Sequence, residues 1–239
     1  MAIQPWRKGI VTQILPGALA THRYFIKVPE LDVFDFEPGQ FVTLDLPIGE
    51  KTADRWRSYS ISSWPDGSNI FELVIVLAEG GKGTDYIFNE VKVGSELQFR
   101  GPQGKFTLPD NIDRDLFLVC TGTGIAPFRS MVHHILNNNI PHQHIHLIFG
   151  CRTRADLLYY DELLEIAGRM ENFHYRPSLS REEWDGRKGY VHDIYEKLVA
   201  GKPPAYFFLC GWKNMITEAR QKLSAIGYDK KDIHFELYG

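Results

Sequence analysis

Cysteine is scarce in this sequence, and long apolar runs are absent. The 239 residues include three cysteines, which lie far apart and form no C-x-x-C pair: Cys120, Cys151 and Cys210. Iron–sulfur clusters are held by closely spaced thiolates, so no such centre is expected. No apolar run reaches the roughly 20 residues that cross a bilayer, and the N-terminal segment MAIQPWRKG lacks the apolar core of a signal peptide. An odd number of cysteines without a leader indicates a reducing compartment, so we expect a cytoplasmic protein with no membrane span.

An excess of basic charge is also lacking. The sequence contains 27 Lys and Arg residues against 30 Asp and Glu residues, a formal net charge of -3. Nucleic-acid-binding domains usually carry a basic field, so this balance argues against a nucleic-acid partner. Hydrophobic residues make up 44% of the chain, which is enough for a packed globular core.

The N-terminal half has the pattern of an antiparallel β-barrel. Short runs of alternating or β-branched residues recur up to about Pro109, among them GIVTQIL, HRYFIKV, RSYSIS and IFELVIVL. Many short strands separated by turn residues are typical of a closed antiparallel sheet. One helix is predicted over residues 84–91. We place this domain at residues 1–110.

The C-terminal half, residues 111–239, alternates between apolar strands and amphipathic helices. The strand-like runs LFLVC, HLIFG, FHYRPS and AYFFLCG are each followed by a helical pattern, the first over residues 125–136. This alternation predicts an α/β domain with a parallel sheet covered on both faces. The expected fold class is therefore a two-domain protein, with an antiparallel barrel followed by an α/β domain.

The segment TGTGIAP follows the first apolar strand of the second half and opens a helix. It contains Gly122, Gly124 and Pro127. Glycines let backbone N–H groups approach a pyrophosphate, and a helix N-terminus adds positive potential. Pro127 suits the first helical turn, where its missing N–H is not needed. The motif indicates a dinucleotide site, with a plain strand-to-helix turn as the alternative.

Two motifs in the first half suit a flavin nucleotide. On the strand RSYSIS, Arg57 and Tyr59 share one face, and Ser58 and Ser60 share the other. A guanidinium binds phosphate oxygens, and an aromatic ring stacks on a flat heterocycle. Further on, GGKGT leads into the predicted helix, where Thr84 could cap the helix and donate to a phosphate. A half-exposed strand and a flexible loop are the alternatives.

In their order and spacing, the RSYS strand, the GGKGT turn and TGTGIAP resemble the ferredoxin–NADP⁺ reductase (FNR-like) flavoprotein superfamily over almost the whole chain. The resemblance implies that the barrel binds FAD, with FMN less usual, and that the α/β domain binds NADPH or NADH. Arg57 would hold the flavin pyrophosphate, Tyr59 would stack on the isoalloxazine, and Ser60 would lie near its N5 atom. The other flavin contacts would be Ser58, Gly81, Lys82, Gly83 and Thr84.

The same resemblance implies the coenzyme contacts and the catalytic residues. The pyrophosphate turn would comprise Thr121, Gly122, Thr123, Gly124 and Pro127, and Cys210–Gly211 would lie at the nicotinamide. Tyr238 would cover the flavin, and Glu236 would join Ser60 in a proton path; Gly239 is an extra residue after the aromatic. A buried strand-end cysteine and a frayed tail are the alternatives. The expected catalytic residues are Ser60, Cys210, Glu236 and Tyr238.

The residues expected at the adenosine end favour NADPH. A 2′-phosphate needs cations and hydroxyls, and Ser180, Arg181, Lys188 and Tyr190 resemble positions that serve NADPH-using relatives. Arg152 adds charge after HLIFG. Similar strings also occur in NADH users, so NADH stays open.

Three histidines alternate near the strand HLIFG: His142, His144 and His146. They could share one strand face as metal ligands. A half-exposed strand entry explains the pattern as well, and we expect no metal site.

These expectations describe an NAD(P)H-dependent flavoprotein reductase. Hydride would pass from NADPH to flavin N5, and electrons would then pass to a one-electron carrier such as ferredoxin or flavodoxin; a monomer is favoured. An alternative enzyme is an NAD(P)H:flavin reductase or the reductase component of an oxygenase. A non-enzymatic alternative is a docking or regulatory flavin-binding subunit.

Overall fold

A computed structural model describes residues 4–238 of the chain. The contacts divide it into two compact units, Met1–Thr107 with Arg129–His134, and Leu108–Phe128 with Ile135–Gly239. We name the first the barrel unit and the second the α/β unit. The first contains a six-stranded antiparallel sheet and the second a six-stranded parallel sheet, which confirms the predicted fold class.

The barrel unit has strands in the order β4-β3-β6-β1-β2-β5, and a bridge between Ile61 and Leu73 joins the two ends of this sheet. The strands are β1 (Trp6–Pro16), β2 (Thr21–Lys27), β3 (Phe41–Asp45), β4 (Trp56–Ser60), β5 (Ile70–Val76) and β6 (Glu96–Gln103), with helices α1 (Thr52–Arg55) and α2 (Lys82–Glu90). Alternate residues such as Tyr24 and Ile26 fill the interior, as a period of two requires.

A buried carboxylate crosslinks the barrel unit. Glu72 is 2% exposed and accepts two hydrogen bonds from Arg23, at 2.7 and 2.9 Å, and one from Arg129 at 3.0 Å. Arg129 also donates to the Ser62 carbonyl at 2.9 Å. A buried charge is tolerated when it is paired in this way, so the network fixes β2, β5 and the 129–134 segment together.

The α/β unit has the strand order β10-β9-β8-β7-β11-β12, with every neighbouring pair parallel. The strands are β7 (Asp115–Thr121), β8 (Ile145–Cys151), β9 (Phe173–Leu179), β10 (Arg187–Lys188), β11 (Ala205–Trp212) and β12 (Ile233–Tyr238). The helices are α3 (Ala126–Asn137), whose middle residues Arg129–His134 count with the barrel unit, α4 (Tyr160–Arg169), α5 (His192–Leu198) and α6 (Lys213–Ile226). From β7 the chain continues to β8 on one side of the sheet, and it later returns to β11 on the other side of β7. The carboxyl ends of β7 and β11 therefore form the topological switch point, which is where α/β sheets bind ligands.

Burial explains why the apolar strand runs were recognisable. Residues 116–120 of β7 are all fully buried, as expected for a central strand covered on both faces.

All three cysteines are free and buried. Among residues 4–238, no helix is long and apolar enough to cross a membrane.

The histidines of β8 and β9 form a stacked group at the amino ends of their strands. The rings of His146 and His174 are 5.0 Å apart between centroids, and His146 also packs on Phe117 at 4.7 Å. Burial, and then the charge of Arg176, lower the pKa of His146 to about 3. The imidazole is therefore neutral in the folded protein at pH 7.

We predict that His146→Phe makes the protein less sensitive to acid. The folded-state pKa of His146 lies below the ordinary value of 6.5, so only the unfolded chain takes up this proton between pH 6.5 and about 3, and stability falls as the pH drops through that window. Each pH unit costs up to about 1.4 kcal/mol, or about 2 kcal/mol by pH 5. Urea unfolding at pH 7 and pH 5 measures the difference. His142→Phe, at a less buried position before β8, is the control, and an equal pH dependence in His146→Phe and wild type would contradict the prediction.

Candidate functional site

The turn after β7 meets the end of β11 at the switch point. A 3-10 turn over Gly122–Ile125 leads directly into α3, with Pro127 as the second residue of that helix. Gly122 has a φ of +55°, which permits the sharp exit from the strand. The Thr121 hydroxyl accepts a hydrogen bond from the Trp212 backbone N–H at 3.2 Å. TGTGIAP and Cys210–Gly211 therefore lie side by side.

Glycine is required at both contacts of this pair of turns. A Cβ on Gly124 would lie 2.4 Å from the Cys210 carbonyl oxygen. Gly211 has a φ of +134°, and a Cβ there would lie 2.4 Å from the Thr121 hydroxyl oxygen. Since real Cβ atoms do not approach so closely, any larger residue would force the two turns apart. Backbone N–H groups at a helix start, reached through a turn of glycines, are donors that fit a pyrophosphate.

Cys210 is a neutral, fully buried thiol. It is in register with Cys120 on β7 and with Glu236 on β12. Burial, and then the Glu236 charge, hold the pKa of Cys210 well above its usual value, while a hydrogen bond with the Tyr238 side chain acts in the opposite direction. The thiol is therefore not suited to nucleophilic attack.

The last strand brings two further predicted residues to the same place. In β12, Glu236 pairs with Cys210 and Tyr238 pairs with Trp212. The predicted group of Cys210, Glu236 and Tyr238 is thus assembled within the α/β unit. Gly239, whose presence after the aromatic was noted from the sequence, lies outside the described residues.

In the barrel unit, Arg57 lies against the start of α2. A Cβ on Gly83 would be 3.0 Å from both Cγ and Nε of Arg57, so the arginine stem packs directly on the glycine backbone. Nη1 of Arg57 donates to the Trp56 carbonyl at 2.8 Å. Among the described residues, no side chain caps the N-terminus of α2, whose N-cap is Gly81. A guanidinium beside an uncapped helix start is a suitable arrangement for a diphosphate.

The other three residues of the RSYS strand become more buried along the strand, from Ser58 to Ser60. Ser58 is exposed and its hydroxyl lies 3.0 Å from that of Thr43, whereas Ser60 is buried. Tyr59 packs against the barrel core. Burial raises the pKa of Tyr59 to about 12, although the Arg57 charge opposes the shift, so the phenol stays protonated.

The predicted capping role of Thr84 is wrong. Helix α2 begins at Lys82, and Thr84 is its third residue. The Thr84 hydroxyl donates to the Gly81 carbonyl at 3.0 Å and accepts from the Ala78 N–H at 3.1 Å. Thr84 therefore fixes the shape of the preceding loop, and with it the positions of Gly81, Lys82 and Gly83.

The residues predicted for coenzyme choice come from the ends of β8, β9 and β10. The Arg181 N–H donates to the Arg152 carbonyl at 2.9 Å, and the Ser180 hydroxyl donates to the Cys151 carbonyl at 3.2 Å. Lys188 forms an ion pair with Glu183. Tyr190 is 69% exposed. Two arginines and a serine are thus brought together, while Lys188 is held by a carboxylate.

Sequence reasoning missed three residues of this region. Glu182 accepts a hydrogen bond from the Arg154 backbone N–H at 2.7 Å, and Glu183 pairs with Lys188. Trp212 is 64% exposed, and its Nε1 is 3.9 Å from where a Gly122 Cβ would lie. The position of Trp212, directly after Cys210–Gly211, could have indicated that it lies near the coenzyme. The positions of Glu182 and Glu183, directly after Ser180–Arg181, could have done the same.

The alternating histidines do not converge on a metal. His144 Nδ1 lies 3.2 Å from His174 Nε2, within hydrogen-bond distance, and His142 Nδ1 lies 2.7 Å from the Gln143 carbonyl. Within residues 4–238, no group of three or more His, Cys, Asp or Glu side chains could hold a metal ion.

Family comparisons divide the chain as the two sheets do. The oxidoreductase FAD-binding domain matches residues 9–108, and the oxidoreductase NAD-binding domain matches residues 118–221. These matches confirm FAD and NAD(P)H as the expected cofactor and coenzyme.

Similar proteins carry reductase names. The chain is 36% identical to ferredoxin–NADP reductase B of Sorangium cellulosum, over 86% of each chain. It is 34% identical to the anthranilate 1,2-dioxygenase electron transfer component of Acinetobacter baylyi, over 76% of this chain and 52% of that protein. This chain thus spans about half the length of the second relative.

A solved structure shares the fold. The Amycolatopsis cytochrome P450 reductase GcoB is 26% identical, with a TM-score of 0.87 over 98% of this chain and 70% of that one. Together with the two domain matches and the near full-length likeness to a ferredoxin–NADP reductase, these findings show that the chain belongs to the FNR-like family of FAD- and NAD(P)H-dependent oxidoreductases.

Proposed function

We propose that this protein is a ferredoxin–NADP⁺ reductase type enzyme that takes hydride from NADPH and passes electrons on to a one-electron carrier such as ferredoxin or flavodoxin. The observation that supports the proposal is the contact of Gly124 with the Cys210 backbone, which joins the predicted pyrophosphate turn to the strand end that carries the thiol. The near full-length relative carries the same activity in its name.

On the flavin side, Arg57 and the start of α2 would hold the diphosphate. The guanidinium offers parallel N–H donors, and the helix start offers backbone N–H groups. Tyr59 would pack on the ring as a neutral phenol. When bound, FAD supplies the chemistry that accepts a hydride and releases electrons one at a time.

On the coenzyme side, the 121–127 turn would bind the pyrophosphate and Cys210 would orient the nicotinamide. A small neutral thiol fills space beside a flat ring without reacting with it. Catalysis of hydride transfer would then come from orientation and not from a protein nucleophile. The roles that the resemblance gives to Ser60, Glu236 and Tyr238 at the flavin stay predictions.

For the choice of coenzyme, Arg152, Ser180 and Arg181 would receive the 2′-phosphate of NADPH. Their backbones are hydrogen-bonded to neighbouring strand ends, so their positions are set before the coenzyme binds. Lys188 would join them on exchanging Glu183 for phosphate, and Tyr190 would lie beside the adenosine.

A second candidate function is supported by the other relative. A reductase component of an oxygenase would use the same two domains and deliver electrons to a different acceptor. The likeness to an anthranilate dioxygenase electron transfer component favours it, although this chain spans only 52% of that protein.

We predict that the purified protein is yellow and that NADPH bleaches its flavin anaerobically faster than NADH does at equal concentration. The reason is the cationic group of Arg152 and Arg181, which favours a 2′-phosphate. Stopped-flow absorbance with each coenzyme measures the rates. Addition of oxidised ferredoxin or flavodoxin should restore the yellow colour in many turnovers. A flavin that neither coenzyme bleaches would contradict the proposal and favour a non-catalytic subunit.

We predict that Arg57→Ala lowers flavin retention, because it removes the cation beside the start of α2. The flavin-to-protein absorbance ratio after gel filtration measures occupancy, and we expect a loss of roughly tenfold or more in affinity, about the value of one charged hydrogen bond. Arg55→Ala is the matched control, since Arg55 is paired with Asp45 instead. Equal flavin content in the two variants would remove Arg57 from the site.

We predict that Cys210→Ala slows anaerobic bleaching by NADPH at least several-fold while flavin content is unchanged, because the nicotinamide loses a packing surface and with it part of its alignment. Cys120→Ala is a close control: Cys120 is also fully buried and lies in register with Cys210 on the adjacent strand. If both variants bleached at the wild-type rate, Cys210 would have no part in orienting the coenzyme.

A further inference from the structure

One face of the parallel sheet carries a group of basic and imidazole side chains that the proposed function does not use. Residues in register on parallel strands share a face, and so do residues two apart on one strand. His146 is in register with His174, and Arg187 is in register with Ser178. One face of β8, β9 and β10 therefore carries His144, His146, His174, Arg176 and Arg187.

Arg176 is the unusual member of this group. Among other buried or part-buried arginines, Arg129 and Arg114 have carboxylate partners, and Arg100, whose Nε also lacks a hydrogen bond among the described residues, lies over two tryptophan rings. Arg176 is half-buried, and its Nε is shut off from solvent without a hydrogen-bond partner in the described part of the chain.

The charge beside Arg176 has the same sign. Burial, and then the neighbouring Arg187 cation, lower the pKa of Arg176. Repulsion between two guanidiniums, one of them partly desolvated, is relieved when an anion binds between them. Leaving a buried donor unsatisfied adds a further cost.

His146 and His174 lie next to Arg176, and burial lowers the pKa of each, so they supply polarity without adding charge. Nδ1 of His146 is likewise buried and unpartnered within residues 4–238. His144 Nδ1 and His174 Nε2 are 3.2 Å apart, and one of these nitrogens must donate to the other. The acid near this end is Asp115, which accepts from the His144 backbone N–H and acts on His174. It is not among the charges that act on Arg176.

We propose that Arg176 and Arg187, with His174 beside them, form a binding site for a phosphate group. A guanidinium offers two parallel N–H donors that match two oxygens of a tetrahedral oxyanion, and a dianion between two guanidiniums converts repulsion into attraction. Because Nε of Arg176 is shut off from solvent, binding through Nε–H requires the guanidinium to turn about its terminal torsions.

At its Arg176 end, this site is separate from the coenzyme residues; Arg187 directly precedes Lys188, but neighbouring residues of a strand point to opposite faces. Arg176 lies in the middle of β9, whereas Ser180 follows the end of that strand. Four residues of extended chain span about 13 Å, which is longer than a phosphate group. The site therefore takes a second phosphate, either inorganic phosphate or a phosphomonoester.

Thermal unfolding of the FAD-loaded enzyme tests the proposal. NADP⁺ is kept saturating, so that the coenzyme site does not respond, and phosphate is exchanged for chloride at constant ionic strength, which holds screening constant. We expect phosphate to raise the Tm of the wild type, because a ligand that binds only the folded state stabilises it. Arg169→Leu is the matched control, since Arg169 is an exposed arginine of the same unit paired with Glu165, and it should keep the phosphate response.

The Arg176→Leu variant should differ from the wild type in two respects. It should raise the Tm in chloride, because it removes an unpaired cation, and it should abolish the rise caused by phosphate. Arg187→Gln should reduce the response. A merely structural arginine would lower the Tm in both buffers when replaced. A wild type without a phosphate response, or an Arg176→Leu variant that keeps one, would overturn the proposal.

A second measurement does not depend on any variant. Titration with inorganic phosphate should shift the Nε–H resonance of Arg176 in ¹H–¹⁵N spectra of the wild type, and chloride should not. Glycerol phosphate and glycerol distinguish the two sources: a shift with glycerol phosphate as large as that with inorganic phosphate indicates a phosphomonoester site, and a shift with inorganic phosphate alone indicates a site for the free ion. No shift with either phosphate would overturn the proposal.

Discussion

The candidate coenzyme site depends on one close approach, that of Gly124 to the carbonyl of Cys210. A methyl group on Gly124 would sit 2.4 Å from that oxygen, and the obstructing atom is backbone, which cannot rotate away as a side chain can. The phosphate turn and the thiol-bearing strand end are consequently one rigid piece, further joined through Thr121 and the Trp212 N–H. The predicted contacts of the pyrophosphate and the nicotinamide take their positions from that piece, because β7 and β11 are adjacent central strands whose carboxyl ends define the switch point.

Much of the fold was predictable because burial leaves a direct trace in sequence. The run LFLVC is apolar throughout since β7 is covered on both faces, and the alternation in HRYFIKV reflects a strand with one face in the barrel core. The start of α2 was predicted less well. Threonine is a favoured N-cap, but the Thr84 hydroxyl is bonded to the loop before the helix, and Gly81 takes the cap position. Local preference could not reveal this, because it depends on where Ala78 lies.

The residues of the candidate site also differ in how far the sequence alone could predict them. Residues that act through a local motif, such as Arg57 on its strand or Gly122 in its turn, could be found from spacing and from the family resemblance. The contacts between residues far apart in the sequence could not be found in this way, even where the residues themselves were predicted. The hydrogen bond of Tyr238 with Cys210 requires the parallel register of β12 with β11, and the pairing of Glu182 with the Arg154 N–H requires the ends of two strands to meet. Register and loop closure are set by the whole sheet, and no short segment encodes them.

The acidic residues near the coenzyme-choice group do not count against NADPH. Lys188 and Glu183 are 56% and 80% exposed at their side chains, and a pair in that setting contributes about 0–1 kcal/mol. A phosphate dianion offers Lys188 a stronger partner than a solvated carboxylate does, so Glu183 is readily exchanged. Glu182 differs, because its oxygen accepts from a backbone N–H at the end of β8 and so helps to fix the loop that carries Arg154. In the proposed site, Glu183 would thus shield Lys188 until the coenzyme binds, and Glu182 would shape the surface that receives it.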